Sequence, residues 1–151
     1  MNASIRYLLA AVVLLTTAPA FAETPAPSIE VWKSATCQCC AKWVTHLEEN
    51  GFAVKTNVAD NAALTAIKRQ AGIGEKLDAC HTAKIGGYVI EGHVPASDIK
   101  RLVAEHPDAI GLTVPGMPLG SPGMKQVDGK TEPYDVLLLK KDGATEVFAS
   151  H

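Results

Sequence analysis

Hydrophobic and polar positions along the chain change their period several times, and each change predicts an element. The first 22 residues carry one charged side chain, Arg6, ahead of an apolar run from Tyr7 to Thr17 that is broken only by its two terminal threonines. The run ends in Ala20-Phe21-Ala22, a small-x-small pattern, before Glu23. A charged start, a short apolar stretch and a small-residue site predict an export leader (signal peptide) cleaved after Ala22. The stretch is too short for a membrane anchor, which needs about 20 apolar residues. Glu23 to Ser28 reads as a Pro- and Ala-containing linker.

Ile29-Glu30-Val31-Trp32 alternates and predicts a first strand. From Cys40 to Asn50 the period becomes helical, with Trp43, Val44 and Leu47 sharing a face and Asn50-Gly51 ending it. Phe52 to Val58 returns to strand. Asp60 or Asn61 caps a second helix to about Gln70, with Leu64 and Ile67 turned inward, and Gly72-Ile73-Gly74 breaks it. Leu77 to Thr82 has no clear period. Gly86-Gly87 bends or begins a strand pair around Tyr88-Val89-Ile90-Glu91, and Pro95 opens a third helix to about Glu105. Gly111 to Gly129 is rich in Gly and Pro. Beyond it, Tyr134 to Leu139 and Glu146 to Phe148 predict a hairpin turning at Asp142-Gly143.

This order predicts an α/β fold, one sheet covered by helices, in a single domain over residues 29–151. By analogy, a cysteine cluster between the first strand and the first helix is the placement used by thioredoxin-like domains. The expected fold class is therefore a thioredoxin-like sheet flanked by helices, with a Gly/Pro/Met-rich loop and a C-terminal hairpin.

Fourteen basic and 16 acidic side chains leave the chain slightly acidic, and loss of Arg6 with the leader makes it more so. That balance excludes the basic face that nucleic-acid binding requires. Apart from the leader, nothing in the pattern suggests that the mature protein spans a membrane.

The chemistry lies in sulfur. Four cysteines follow the leader, and three of them fall within Cys37-Gln38-Cys39-Cys40; the fourth is Cys80. Export favours disulfides, but three cysteines in four residues cannot staple distant parts of a fold more than once. At a helix start, unpaired N–H groups and the helix dipole favour thiolate, the form that binds metal and attacks disulfides. A dithiol oxidoreductase needs two sulfurs, so Cys39 is surplus to that task. Soft thiolate and thioether ligands select Cu(I), which gives the third sulfur a use, and adjacent Cys39 and Cys40 suit bridging between coppers. A structural Cys37–Cys40 disulfide, with Cys39 and Cys80 packed as small hydrophobes, is the bland alternative.

His81 follows Cys80 directly and is a candidate ligand. His93 reads as capping or packing, His46 as structural, and His106 and His151 as solvated. Met117 and Met124 lie in Gly116-Met117-Pro118 and Gly123-Met124, where Gly and Pro forbid helix interior. Methionine in such a loop is an unusual packing choice, and it predicts a copper ligand or relay.

Several stretches resemble the periplasmic copper-resistance proteins of the CopG type. They are Thr36 to Cys40 with Trp43, His46 and Leu47; Asn50-Gly51-Phe52; Ala79 to Thr82; Gly86 to Ala96; Val114 to Pro118; and Gly120 to Met124. The likeness runs from about Val31 to about Lys140. It departs at Gln38, where the family often has glycine; no ligand is lost by that change. The resemblance implies a thioredoxin-like domain, a multinuclear cysteine-bridged copper site at Cys37, Cys39, Cys40 and Cys80, and interconversion of Cu(I) and Cu(II). It extends more weakly to His81, His93, Met117 and Met124.

Expected partners are copper ions and other copper carriers or an efflux system. Turnover as a copper oxidoreductase is left open. Two competing readings stand beside this one: a thiol–disulfide oxidoreductase using Cys37 and Cys40 with Cys80 as a third redox centre, and a structural zinc module built from Cys37, Cys40, Cys80 and His81.

Overall fold

The computed structural model describes residues 26–125 and 128–151. The expected leader, residues 1–22, and the first part of the linker lie outside the described residues. Seven strands form one sheet in the order β2-β1-β3-β4-β5-β6-β7. In chain order the elements are β1 (Ser28–Lys33), α1 (Gln38–Glu49), β2 (Ala53–Val58), α2 (Asn61–Gln70), β3 (Thr82–Ile85), β4 (Tyr88–Gly92), α3 (Ala96–Glu105), β5 (Gly111–Val114), β6 (Asp135–Leu139) and β7 (Thr145–Ser150), with a short 3₁₀ turn at Glu75–Leu77. The expected α/β sheet flanked by helices is present.

The pairs β1–β2 and β4–β5 are parallel; the other neighbours are antiparallel. Because β3 runs against β1, the end of β1 and the start of β3 lie side by side, with Trp32 opposite Thr82. The loop carrying Cys37 and the segment carrying Cys80 therefore leave the sheet at the same end.

Alternation along the strands separates two packed layers. Ile29, Val31, Ile90, Leu112, Val136 and Leu138 join Trp43 and Leu47 of α1 and Ile99 and Leu102 of α3 in the main core. On the other face, Val89 and Leu139 meet Ile73, beyond the end of α2. Trp43 is fully buried, and its indole N–H donates to the Val94 carbonyl at 2.8 Å. That bond fixes the root of α1 to the start of α3.

Two expectations are corrected. Gly111 to Val114, read as part of a Gly/Pro-rich loop, is a buried mid-sheet strand. Its four residues are too few to display a period, and its place between β4 and β6 supplies the pairing that the local sequence does not advertise. Helix α1 also begins earlier than Cys40, at Gln38, with Cys37 as its N-cap. Among the described residues, no helix is long and apolar enough to cross a membrane.

Candidate metal centre

The first turn of α1 presents three of the sulfurs. Cys37 has extended backbone and takes the N-cap position, its Sγ accepting the Cys40 N–H at 3.3 Å. Sulfur there does what a Ser or Asp oxygen usually does, meeting one of the helix's unpaired N–H groups. The turn brings the Cα atoms of Cys37 and Cys40 to 5.4 Å, and the two are joined by a disulfide. This form differs from the expected trio of free thiolates: Cys39 and Cys80 are the free cysteines, both partly exposed. The Sγ atoms of Cys37 and Cys39 are 3.5 Å apart. All four cysteine Sγ atoms, including that of Cys80, lie within 4.8 Å of one another.

Cys80 arrives on an irregular segment between the 3₁₀ turn and β3. Burial, then the neighbouring Cys39, push its thiol up to about 11, so at neutral pH it carries its proton. Its Sγ lies 2.7 Å from Met117 Sδ, and Met117 remains 50% exposed. A fifth sulfur thus stands at the edge of the cysteine group.

The Gly/Pro/Met-rich loop folds over the start of α1. Gly123, at φ +89°, sits so close that a Cβ there would lie 2.6 Å from the Cys39 carbonyl and 3.0 Å from the Trp43 amide nitrogen. Within the loop, Ser121 is buried and its hydroxyl donates to the Pro118 carbonyl at 2.7 Å. Met124 closes the turn through its backbone, donating to Ser121 and accepting from Gly120.

Two solved structures named copper resistance protein CopG, Form 1 and Form 2, superpose on the chain with a TM-score of 0.77 each. They are 41% and 42% identical to it, and the matches cover 83% of this chain and 98% of theirs. The chain belongs to the CopG family. A model of a protein family of unknown function, DUF411, matches residues 77–124, the span from the Cys80 segment through Met124. No curated protein matches.

In this CopG-family chain the histidines divide into separate roles. His81 is fully buried, 4.3 Å from the Trp43 ring centroid and 4.9 Å edge-on from that of His93. Among the described residues neither of its ring nitrogens has a hydrogen-bond partner, and burial first, then His93 and Lys68, lower its pKa well below the ordinary 6.5. It is not a member of the four-sulfur group. His93 donates from Nδ1 to the Pro122 carbonyl at 2.8 Å, which leaves Nε2 without a partner among the described residues; burial lowers its pKa too. His46 accepts the Ala96 N–H on Nε2 at 3.1 Å and so caps α3, whose N-cap Pro95 supplies no side-chain bond. His106 is exposed as expected, but His151 stacks on Tyr134 and meets Asp98 at 2.8 Å.

Sequence reasoning overlooked one group of residues at this CopG-family site. Lys68 of α2 and Glu91 of β4 are 5% and 0% exposed and form an ion pair. A lone acid ending the apolar Tyr88-Val89-Ile90 run was the available signal, yet the sequence alone offers no way to match it to a lysine one helix earlier.

Proposed function

We propose that the chain is an exported protein that holds copper as Cu(I), in a cluster bridged by Cys37, Cys39, Cys40 and Cys80, in the service of copper resistance in the periplasm. The carrying observation is that four cysteine Sγ atoms lie within 4.8 Å of one another. A thioether at 2.7 Å from one of them extends the soft donor set. Ligand roles for Met117, and secondarily for Met124 and His81, belong to this reading. The strand order β2-β1-β3-β4, with cysteines at the β1–α1 junction, supports a thioredoxin-like description of that half of the sheet.

Copper here is cargo, and the cysteines hold it only when the Cys37–Cys40 bridge is open. Binding displaces protons from the thiols, that of Cys80 above all. Interconversion of Cu(I) and Cu(II), with one electron per ion exchanged with an external oxidant or reductant, and transfer to a copper carrier or efflux partner complete the reading. The family relatives named for copper resistance support the metal. A closed zinc site built from Cys37, Cys40, Cys80 and His81 is less well supported, because it gives no role to Cys39, whose Sγ lies within the same four-sulfur group.

The bridged Cys37–Cys40 pair favours one second reading, a thiol–disulfide oxidoreductase. Metal analysis of protein reduced and purified without oxygen separates the two. Copper above one ion per chain, falling sharply in Cys39→Ser, is expected for the cluster. A metal-free protein that reduces a model disulfide, and keeps that activity in Cys39→Ser, would establish the second reading instead.

A further inference from the structure

Ala79, the residue before Cys80, has almost no regular sheet pairing of its own. One isolated bridge joins it to Gly116, beside Met117. Its backbone groups are met instead by the buried ion pair. The Ala79 N–H donates to Glu91 Oε1 at 2.8 Å, and Lys68 Nζ donates to the Ala79 carbonyl at 2.9 Å. The second carboxylate oxygen of Glu91 accepts the Thr82 hydroxyl at 2.6 Å. Cys80 and His81 therefore hang between two points fixed on one carboxylate. Gly92 admits this approach: at φ +74°, a Cβ there would lie 2.7 Å from that of Ala79.

A buried ion pair is weak evidence for stability, since apolar residues of similar volume often replace one without loss. Buried backbone groups, by contrast, must find partners. The arrangement satisfies both backbone groups of one irregular residue and fixes the direction in which the next side chain leaves.

We propose that Lys68 and Glu91 are positioning residues for Cys80, a two-sided grip on the Ala79 backbone that keeps the Cys80 sulfur among the other three. The proposal needs no metal to be tested, although its consequence for copper rests on the function proposed above. In metal-free Cys39→Ser protein with the Cys37–Cys40 bridge intact, Cys80 is the one free thiol, and its alkylation by iodoacetamide reports how firmly the segment is held.

In that background, Lys68→Met combined with Glu91→Leu removes both charges at once, so the net local charge is unchanged and the rate reads access. The rate is expected to rise roughly tenfold, the factor that about 1.4 kcal/mol of lost local order gives. Far-UV circular dichroism near the parent's and a cooperative melt, at a somewhat lower temperature, are expected of the folded variant. A folded double variant alkylated at the parental rate overturns the proposal. Should that variant fail to fold, Lys68→Met with Glu91→Met, closer to the parent side-chain volumes, also removes both partners of the Ala79 backbone, and the same rise is expected or the proposal falls.

With Cys39 restored and the protein reduced, either pair of substitutions should lower copper loading to the level of Cys80→Ser, and adding Cys80→Ser should lower it no further. Parental loading in the paired variants would overturn the proposal. A parent that binds no copper would remove the functional reading and leave the alkylation result to decide the positioning role alone.

Discussion

Cys37, Cys39 and Cys40 sit in a helical turn held from a few residues away: Ser34 accepts the Cys37 N–H, Ala41 donates to the Cys37 carbonyl and the Cys40 N–H meets Cys37 Sγ. Cys80 sits in a stretch whose backbone is met by side chains from α2 and β4. On the α1 side, geometry follows from the local sequence: an N-cap, a helix start and a buried tryptophan one turn on. On the Cys80 side it follows from tertiary structure, through a lysine and a glutamate that are far apart in the chain. The first kind of support fails piecemeal when a residue changes; the second fails as a unit.

The largest expected effect tests that second kind. Lys68→Met alone leaves Glu91 buried without its cation, and chemical denaturation should show a loss of about 3–5 kcal/mol. The paired replacement described above should lose far less. Trp43→Ala is the counterpart on the α1 side. It deletes a fully buried ring and the bond to Val94, for about 3–5 kcal/mol by the same measurement. If Lys68→Met cost no more than a surface substitution, the contrast between the two segments would be lost.

Gly123→Ala should cost about 1–3 kcal/mol, because the new methyl meets the Cys39 carbonyl and the backbone is held at positive φ. Limited proteolysis should then cut the loop between Val114 and Asp135 faster than in the parent. Acid probes the α1 side through His46. Burial holds its pKa below the ordinary 6.5, so the folded state favours the neutral ring that accepts the Ala96 N–H. Stability from this group is complete above about pH 6.5 and is lost as pH falls through that value toward the folded pKa. His81, held lower still, adds with the same sign. Melting temperatures of metal-free protein between about pH 8 and 5 should decline on the acid side, and a rise would contradict the assignment. The smallest effect is Asp60→Ala, at about 1 kcal/mol. Asp60 Oδ1 accepts the Ala63 N–H and caps the helix that carries Lys68, so its loss should loosen Cys80 more than Cys39.

The same contrast explains what could be read from the sequence. Ile29 to Trp32, Trp43 with Leu47, Asp60 and the Asp142-Gly143 turn all carry local signals, and the structure has their elements where those signals put them. The three clustered cysteines were legible for the same reason. Cys80 was legible as a candidate by residue type alone; its approach to the others depends on β3 lying against β1. Strand β5 was missed because Leu112-Thr113-Val114 is a short apolar run beside prolines, and only its neighbours β4 and β6 make it a strand. The bridge between Cys37 and Cys40 was weighed as the bland alternative; the surplus of sulfur argued for open thiols. The polar grip on Ala79 could not be read at all, since neither of its members is near Cys80 in the chain.

Trp32 lies opposite Thr82 in the β1–β3 ladder, one strand running toward the cluster and the other away from it. Strand pairing thus sets the two sulfur-bearing segments abreast, whatever length of chain connects them. The turns at Gly51 and at Asp142-Gly143 lie at the opposite end of the sheet. Residues can be inserted there at a cost of only about 0.6 kcal/mol for each doubling of loop length. Such turns are natural places to graft a tag or a reporter domain onto this scaffold while its sulfur end stays untouched.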